Sequence, residues 1–174
     1  CLVGPTADVV LTSNRVDWEV ELVVVIGRGG AAIAEADALA SVAGYCVGQD
    51  ISDRRLQFAG KPPQFSLGKS ADSFGPIGPA VVALDGIPDP NDLGLSCSVA
   101  GERMQDGRTS DMVFPIAELV AYLSRHCTLV AGDLIFTGTP AGVGSTRRRY
   151  LAENELIESA IEGVGELRNR CVSA

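Results

Sequence analysis

Two glutamates stand two positions apart in an otherwise apolar run near the start of the chain. Glu19 and Glu21 belong to residues 18–27, where valine dominates and predicts a β-strand. Side chains alternate across a strand, so both carboxylates should project from one face, roughly 6–7 Å apart along the backbone. Like charges held together at an apolar strand repel and lose hydration, which a divalent cation would offset. A solvent-facing strand edge with alternating glutamates is the other interpretation of this doublet.

A third acid favours the cation. Asp50 ends the predicted strand 44–50, where a loop begins and where functional side chains are usually presented. Three carboxylates, completed by water or substrate oxygens, suit the octahedral preference of Mg²⁺, and Mn²⁺ would also fit. Asp50 could instead start the following turn or cap its helix. The three acids are therefore candidate metal ligands, with these structural alternatives open.

The composition bounds the class of protein. The chain has 174 residues, of which 46% are hydrophobic and 21% charged, which suits one globular domain. The formal net charge of −8 argues against a nucleic-acid partner, because such binding needs clustered lysine and arginine. Five scattered cysteines without a C-x-x-C pair favour the reduced thiols of a cytoplasmic protein, and a single histidine disfavours zinc. No apolar run is long enough to cross a bilayer, so we expect no membrane partner.

Short strands separated by glycine and proline dominate the rest of the sequence. Besides the two strands that carry the acids, strands are predicted at residues 7–11, 80–84, 93–99, 133–137, 155–161 and 165–171, with 65–69 extended. Residue composition and spacing predict helices at 35–43 and 116–125, and Ser52 could cap a helical turn ending at Gln57. Residues 75–79 predict a rigid turn, and 137–144 a glycine-rich loop. Many strands and few helices indicate an α+β domain composed mostly of β-structure.

Many short motifs follow one another in a fixed order along nearly the whole chain. They include Asp17-Trp18-Glu19-Val20-Glu21-Leu22, Gly44-Tyr45 leading to Asp50, Arg54 and Gln57, Gly68-Lys69-Ser70, Phe74-Gly75-Pro76, Gly101-Glu102, Gln105, Asp111-Met112, Gly132-Asp133 and Thr137-Gly138-Thr139-Pro140. In this order they resemble the catalytic C-terminal domain of the fumarylacetoacetate hydrolase family, and most of all its bacterial branch that cleaves 2,4-diketo-3-deoxy sugar acids. The resemblance implies a mostly β mixed sandwich roll with a few short helices. Residues 1–174 are then expected to form a single catalytic domain.

The resemblance also implies roles for particular residues. It implies that the metal ligands are Glu19, Glu21 and Asp50, and that the substrate contacts are Arg54, Gln57, Lys69 and Thr139. An α-keto acid would chelate Mg²⁺, or Mn²⁺, which would stabilise the enolate left when a carbon–carbon bond breaks. Lys69 would add positive charge for that enolate and joins the three acids as a candidate catalytic residue, whereas Arg54 would grip a carboxylate.

These roles predict a magnesium-dependent hydrolase that cleaves a carbon–carbon bond in acylpyruvates or 2,4-diketo acids. A decarboxylase or isomerase of oxaloacetate-like or 2-hydroxy-diene-dioate keto acids is the alternative, because it needs the same enolate without a positioned water. The family's hydrolases draw their water-activating base from a His–Glu pair upstream of this region, and nothing here matches it. His126 follows the predicted helix 116–125 and is expected to be a structural or surface residue.

The start of the chain and the family resemblance carry the remaining expectations. The sequence begins at Cys1 without an initiator methionine, so we expect an amino-terminal region to precede it. The resemblance implies a homodimer whose partner molecule is a small keto acid, and the reduced thiols place it in the cytoplasm.

Overall fold

A computed structural model of the protein describes residues 1–173. Its strands are β1 (Leu2–Val3), β2 (Val9–Leu11), β3 (Val16–Asp17), β4 (Val20–Ile26), β5 (Val42–Gln49), β6 (Ser52–Asp53), β7 (Gly75–Ala83), β8 (Gly94–Val99), β9 (Glu102–Arg108), β10 (Leu134–Phe136), β11 (Leu156–Ile161) and β12 (Gly165–Ser173). Its α-helices are α1 (Glu35–Ala38), α2 (Arg54–Gln57), α3 (Ile116–His126) and α4 (Gly144–Arg147).

The strands form two mixed sheets and one short pair. The first sheet has the order β1-β7-β5-β4-β10, and the second has the order β2-β12-β11-β8-β9. The strands β3 and β6 pair separately. Most neighbours are antiparallel, but β1 lies parallel to β7 and β2 lies parallel to β12. The α+β, mostly β fold class predicted from the sequence is therefore confirmed.

The two sheets share an apolar core. Leu22 and Val24 of β4 lie in one buried cluster with Cys97 of β8 and Ile157 of β11. Burying an aliphatic side chain of this size contributes about 1.5–3 kcal/mol relative to leaving it in water. Because side chains alternate along a strand, Glu21 of β4 must point away from this cluster, to the opposite face of the first sheet.

The helices agree in part with the sequence predictions. Helix α3 is confirmed and ends at His126, one residue beyond its predicted end. The predicted helix 35–43 is wrong beyond Ala38, where a short 3₁₀ turn leads into β5. Val42 pairs there with Ile26 of β4, and this strand pairing outweighs the helical propensity of the alanines. Within residues 1–173, no helix is long and apolar enough to cross a membrane.

Three other local predictions are wrong. Residues 75–79 do not form a turn but begin β7, whose register with β5 becomes irregular near Pro79, where a backbone N–H is missing. Residues 65–69 are not extended, because Leu67–Lys69 form a 3₁₀ turn. Asp53, and not Ser52, caps α2 by accepting two backbone N–H groups of its first turn.

Candidate active site

The antiparallel pairing of β4 and β5 brings the three predicted metal ligands to one place. Glu21 of β4 lies opposite Gly48 of β5, so the end of β5 meets the start of β4. Asp50, immediately after β5, donates its backbone N–H to the carbonyl oxygen of Glu19 at 2.9 Å. Glu19 and Glu21 share a face because they are two residues apart.

The three carboxylates converge on that face. One oxygen from each of Glu19, Glu21 and Asp50 lies within 4.8 Å of the others. Glu21 is only 3% exposed and Glu19 only 8%, while Asp50 is half-buried. Octahedral Mg²⁺ holds oxygens about 2.1 Å away, hence at most about 4.2 Å apart, so small side-chain movements would fit the cluster to the ion.

Glycine at position 48 leaves room for an apolar wall beside the carboxylates. A Cβ atom there would lie 2.4 Å from Cγ2 of Val23 and 2.7 Å from Cε1 of Phe136. These two residues are cross-strand partners in β4 and β10, on the face that carries Glu21. The absence of a side chain at Gly48 therefore lets Val23 and Phe136 pack against β5 on the face that carries Glu21.

Lys69 bridges two of the three acids. It ends the 3₁₀ turn Leu67–Lys69, and its Nζ donates to Oε2 of Glu19 at 2.8 Å and to Oδ2 of Asp50. Burial would lower the pKa of Lys69, but the charge of Glu19 and the hydrogen bond to Asp50 outweigh it and raise that pKa. The lysine is therefore a fixed cation at the edge of the cluster.

Arg54 contacts the other carboxylate oxygen of Glu19. Its Nη2 donates to Oε1 of Glu19, its Nε donates to Oδ2 of Asp17 at 2.8 Å, and its Nη1 donates to Oε1 of Gln57 at 3.0 Å. The guanidinium thus orients a predicted metal ligand, a task different from the predicted grip on a substrate carboxylate. Nε2 of Gln57 is buried and has no hydrogen-bond partner among residues 1–173.

The glycine-rich loop also forms hydrogen bonds with the acidic cluster and with the strand that carries it. The backbone N–H of Gly138 donates to Oε2 of Glu21 at 2.8 Å. The hydroxyl of Thr139 donates to the carbonyl oxygen of Val20 at 2.9 Å and accepts from Nε2 of Gln105 at 2.8 Å. Thr139 therefore lies beside the segment that carries Glu19 and Glu21, and its hydroxyl proton is already used within the protein.

The same loop also adjoins a cavity. This cavity, of about 220 Å³, is lined by Thr137–Pro140 and by apolar side chains such as Leu22, Leu95 and Met112, but by none of the three acids. The loop therefore has one side toward the acidic cluster and another toward an apolar space.

The electrostatics of the cluster fit a divalent cation. Burial, followed by the charge of Asp50, raises the pKa of Glu21 to about 8, although the N–H of Gly138 acts in the opposite direction. Burial is also the main cause that raises the pKa of Asp50. The buried or half-buried charges here are the acids Asp17, Glu19, Glu21 and Asp50 and the cations Arg54 and Lys69. When all are ionised, two negative charges are in excess, and Mg²⁺ or Mn²⁺ would neutralise both.

Three supporting residues were not predicted from the sequence as site residues. Asp17 is fully buried and accepts the backbone N–H groups of Trp18, Gly144 and Ser145 in addition to Arg54. Gln49 and Gln105 accept the backbone N–H groups of Glu19 and Val20. Gln49 ends a mostly apolar strand, which was a signal of a buried hydrogen bond, but nothing in the spacing identified its partners or those of Asp17 and Gln105.

Comparison with known proteins identifies the family. The sequence model described as fumarylacetoacetate (FAA) hydrolase C-terminal matches residues 1–172. The human mitochondrial oxaloacetate tautomerase FAHD2A is 44% identical over 175 residues, which cover 98% of this chain and 56% of that protein. The chain therefore spans little more than half the length of this curated relative.

Solved structures agree with this assignment. Fumarylpyruvate hydrolase from Pseudomonas aeruginosa, crystallised with Mn²⁺ and pyruvate, is 34% identical with a TM-score of 0.90, covering 100% of this chain and 75% of that one. The 5-carboxymethyl-2-hydroxymuconate delta-isomerase from Mycobacterium smegmatis is also 34% identical, with a TM-score of 0.91, covering 99% of this chain and 66% of that one. Fold, acidic cluster and sequence agree, and the chain belongs to the fumarylacetoacetate hydrolase family.

Proposed function

We propose that this chain is the metal-binding catalytic domain of an enzyme that hydrolyses a carbon–carbon bond in acylpyruvates or 2,4-diketo acids. The observation that carries the proposal is the convergence of Glu19, Glu21 and Asp50 within 4.8 Å, with Lys69 hydrogen-bonded to two of them. The Mn²⁺ and pyruvate bound to the Pseudomonas aeruginosa hydrolase support both the class of metal and a pyruvate-containing product.

Some residues of the site would bind the metal, and others orient the carboxylates that bind it. Glu19, Glu21 and Asp50 would hold Mg²⁺ or Mn²⁺, which would supply Lewis-acid stabilisation of the negative charge that develops on a keto oxygen. Arg54 and the N–H of Gly138 fix the orientation of two of these carboxylates through hydrogen bonds. Carboxylates held in this way need little rearrangement when charge develops.

Lys69 contributes a second positive charge. Its raised pKa keeps the ammonium protonated at neutral pH. The side chain is 25% exposed, so it lies where a bound keto acid could meet it. An ammonium in this position would favour an enolate over the neutral keto form, because opposite charges attract more strongly in a partly buried site than in bulk water.

Tautomerisation or isomerisation of an oxaloacetate-like keto acid is the second candidate, together with decarboxylation. The names of the human relative and of the Mycobacterium smegmatis structure favour it. It would use the same charge stabilisation and needs no attacking water. The two candidates therefore differ in their products and not in the acidic cluster.

One set of assays tests the proposal. The full-length natural protein would be incubated with an acylpyruvate, a 2,4-diketo-3-deoxy sugar acid and oxaloacetate, with Mg²⁺, with Mn²⁺ and with EDTA. Release of pyruvate from the acylpyruvate, abolished by EDTA, is expected. Enol–keto conversion of oxaloacetate without cleavage of the acylpyruvate would establish the second candidate, and activity unaffected by EDTA would overturn both.

A matched pair of variants tests the ligand assignment. Glu21→Gln removes a carboxylate of the cluster and should reduce the affinity for Mn²⁺ sharply, measured by calorimetry. Glu153→Gln makes the same chemical change at an exposed position and should leave that affinity unchanged. Equal affinities in the two variants would refute Glu21 as a ligand. The homodimer and the cytoplasmic location remain predictions.

A further inference from the structure

We propose that Gln105 is a positioning residue that couples the metal-ligating segment Glu19–Glu21 to the loop Gly138–Pro140. This inference rests on the proposed metal site. Gln105 is 1% exposed, lies in β9 of the second sheet, and touches neither of the flanking carboxylates through a hydrogen bond. Its influence on the site would therefore be indirect, through the backbone on which the ligands stand.

The coupling consists of a closed ring of hydrogen bonds. The backbone N–H of Val20 donates to Oε1 of Gln105 at 3.0 Å. Nε2 of Gln105 donates to Oγ1 of Thr139 at 2.8 Å and to the carbonyl oxygen of Pro140 at 2.9 Å. Oγ1 of Thr139 then donates to the carbonyl oxygen of Val20 at 2.9 Å, which closes the ring.

Val20, the residue between the two glutamates, is a member of the ring through both of its backbone polar groups. Because Val20 has both its N–H and its carbonyl oxygen in the ring, the backbone that carries Glu19 and Glu21 is held in one orientation. The same loop presents the N–H of Gly138 to Glu21 at 2.8 Å. A displacement of the loop would therefore move a ligand and its hydrogen-bond donor relative to each other.

A β-bulge in the second sheet directs the side chain of Gln105 toward Val20 and Thr139. In the pairing of β8 with β9, Cys97 lies opposite Gln105 but Ser98 lies opposite Arg103, so Met104 is an extra residue. Bulges of this kind redirect a neighbouring side chain and are frequent beside functional sites. The bulge gives Gln105 a direction that a regular strand would not.

Gln49 shows what a glutamine does when it only provides an acceptor for a buried backbone N–H and does not connect two parts of the site. Gln49 also accepts a backbone N–H, that of Glu19, at 2.9 Å. Its Nε2, however, donates to Ser159 and Cys97 in the core between the sheets. Gln49 therefore anchors the segment to the core, whereas Gln105 uses both ends of its amide to join two parts of the site.

The first test compares Gln105→Met with Asn169→Leu. The first variant keeps the length of the side chain and removes the ring. The second removes a buried amide that hydrogen-bonds Pro5 and Ala7, which are not members of the ring, and controls for lost stability. Amide hydrogen exchange would be measured on both metal-free proteins, together with Mn²⁺ affinity and urea unfolding.

Gln105→Met should accelerate exchange of the Gly138 amide and weaken Mn²⁺ binding about 10- to 100-fold, as is typical when a partner behind the ligands is lost. Asn169→Leu should lower the unfolding stability without either effect. Unchanged exchange at Gly138 in Gln105→Met would overturn the coupling. Failure of the unmodified protein to bind Mn²⁺ would instead overturn the proposed function, while the exchange data would still decide the role of Gln105.

A second variant covers the case in which Gln105→Met does not fold. Thr139→Val is nearly isosteric and opens the same ring from the loop side, so this variant alone should accelerate exchange of the Gly138 amide, and unchanged exchange would contradict the coupling. Where Gln105→Met folds, the two substitutions can be combined. If the ring acts as one unit, the double variant should then exchange its Gly138 amide no faster than the faster single variant. If the two substitutions instead multiply their increases in the exchange rate of the Gly138 amide, the contacts act independently and the proposal is contradicted.

Discussion

The backbone N–H of Gly138 donates a 2.8 Å hydrogen bond to Oε2 of Glu21, which lies 117 residues earlier in the chain. Gly138 has a φ of 102°, a conformation that glycine adopts without strain, and an added Cβ would meet nothing within 4 Å. The need for glycine here is therefore conformational and not steric. The conformation aims a donor at one carboxylate of the acidic cluster and so selects the orientation of that side chain.

Gly138→Ala should weaken Mn²⁺ binding beyond its effect on stability. A residue with a side chain at this φ is strained by about 1–3 kcal/mol, and relief of the strain would turn the N–H away from Glu21. Gly132→Ala is the matched control, because Gly132 has a φ of 92° and also has nothing within 4 Å of an added Cβ. Urea unfolding should show similar losses for both, and calorimetry should show weaker binding only for Gly138→Ala. Equal Mn²⁺ affinities would contradict the argument.

Metal binding should release a proton at neutral pH. Burial and then the charge of Asp50 raise the pKa of Glu21 from an ordinary value of 4.5 to about 8. Below pH 8 the metal-free carboxyl is mostly protonated, so binding of a cation must displace that proton and the apparent affinity should rise with pH. Calorimetry in two buffers of different ionisation enthalpy measures the proton released. Its absence at pH 7 would show that Glu21 is already ionised.

The raised pKa of Glu21 also determines how the stability of the metal-free protein changes with pH. Because the folded pKa of Glu21 lies above its ordinary value, the folded metal-free protein holds a proton that the unfolded chain has lost between pH 4.5 and about 8. The contribution of this group to stability is therefore complete below pH 4.5 and declines as pH rises through 8. Mn²⁺ should restore stability most at the alkaline end, which urea unfolding at several pH values would reveal.

Arg54→Met should destabilise the fold more than substitution of the arginine next to it. Arg54 is 9% exposed and joins the buried carboxylates of Asp17 and Glu19, so its removal leaves uncompensated charge at a cost of about 3–5 kcal/mol. Arg55→Met changes an exposed side chain and should alter stability by no more than about 0.5 kcal/mol. Urea unfolding compares the two. Similar losses in both variants would show that the Asp17–Arg54–Glu19 contacts add nothing.

The cysteines should divide into two groups by reactivity. Cys1 and Cys127 are exposed, whereas Cys46, Cys97 and Cys171 are buried. Burial raises the pKa of all three buried thiols, to about 12 for Cys97 and for Cys171, so little nucleophilic thiolate forms at pH 8. A thiol-reactive dye at pH 8 should label two cysteines rapidly and the others only after unfolding in urea. Rapid labelling of a third would contradict the buried placement.

The sequence alone determined the features that depend on residues close together in the chain. The spacing of Glu19 and Glu21 placed both on one face of a strand, because alternation is a property of the extended backbone itself. The strand-rich composition indicated the mostly β fold class, and helix α3 followed from the spacing of its apolar residues. Ordered motifs identified the family and the three candidate ligands. Helix 35–43 failed beyond Ala38 because pairing of Val42 with Ile26 lies outside what neighbouring residues encode.

Only the tertiary structure decided what each charged side chain contacts. The resemblance implied a substrate contact for Arg54, which stays a prediction, whereas its hydrogen bonds to Glu19 and Asp17, 35 and 37 positions away, appeared only in the fold. Val20 receives a hydrogen bond from Thr139 across 119 residues and gives one to Gln105 across 85. Such contacts arise from the register of paired strands and the packing of two sheets. No local propensity encodes either property, so the partners that orient the candidate ligands became visible only in the folded chain.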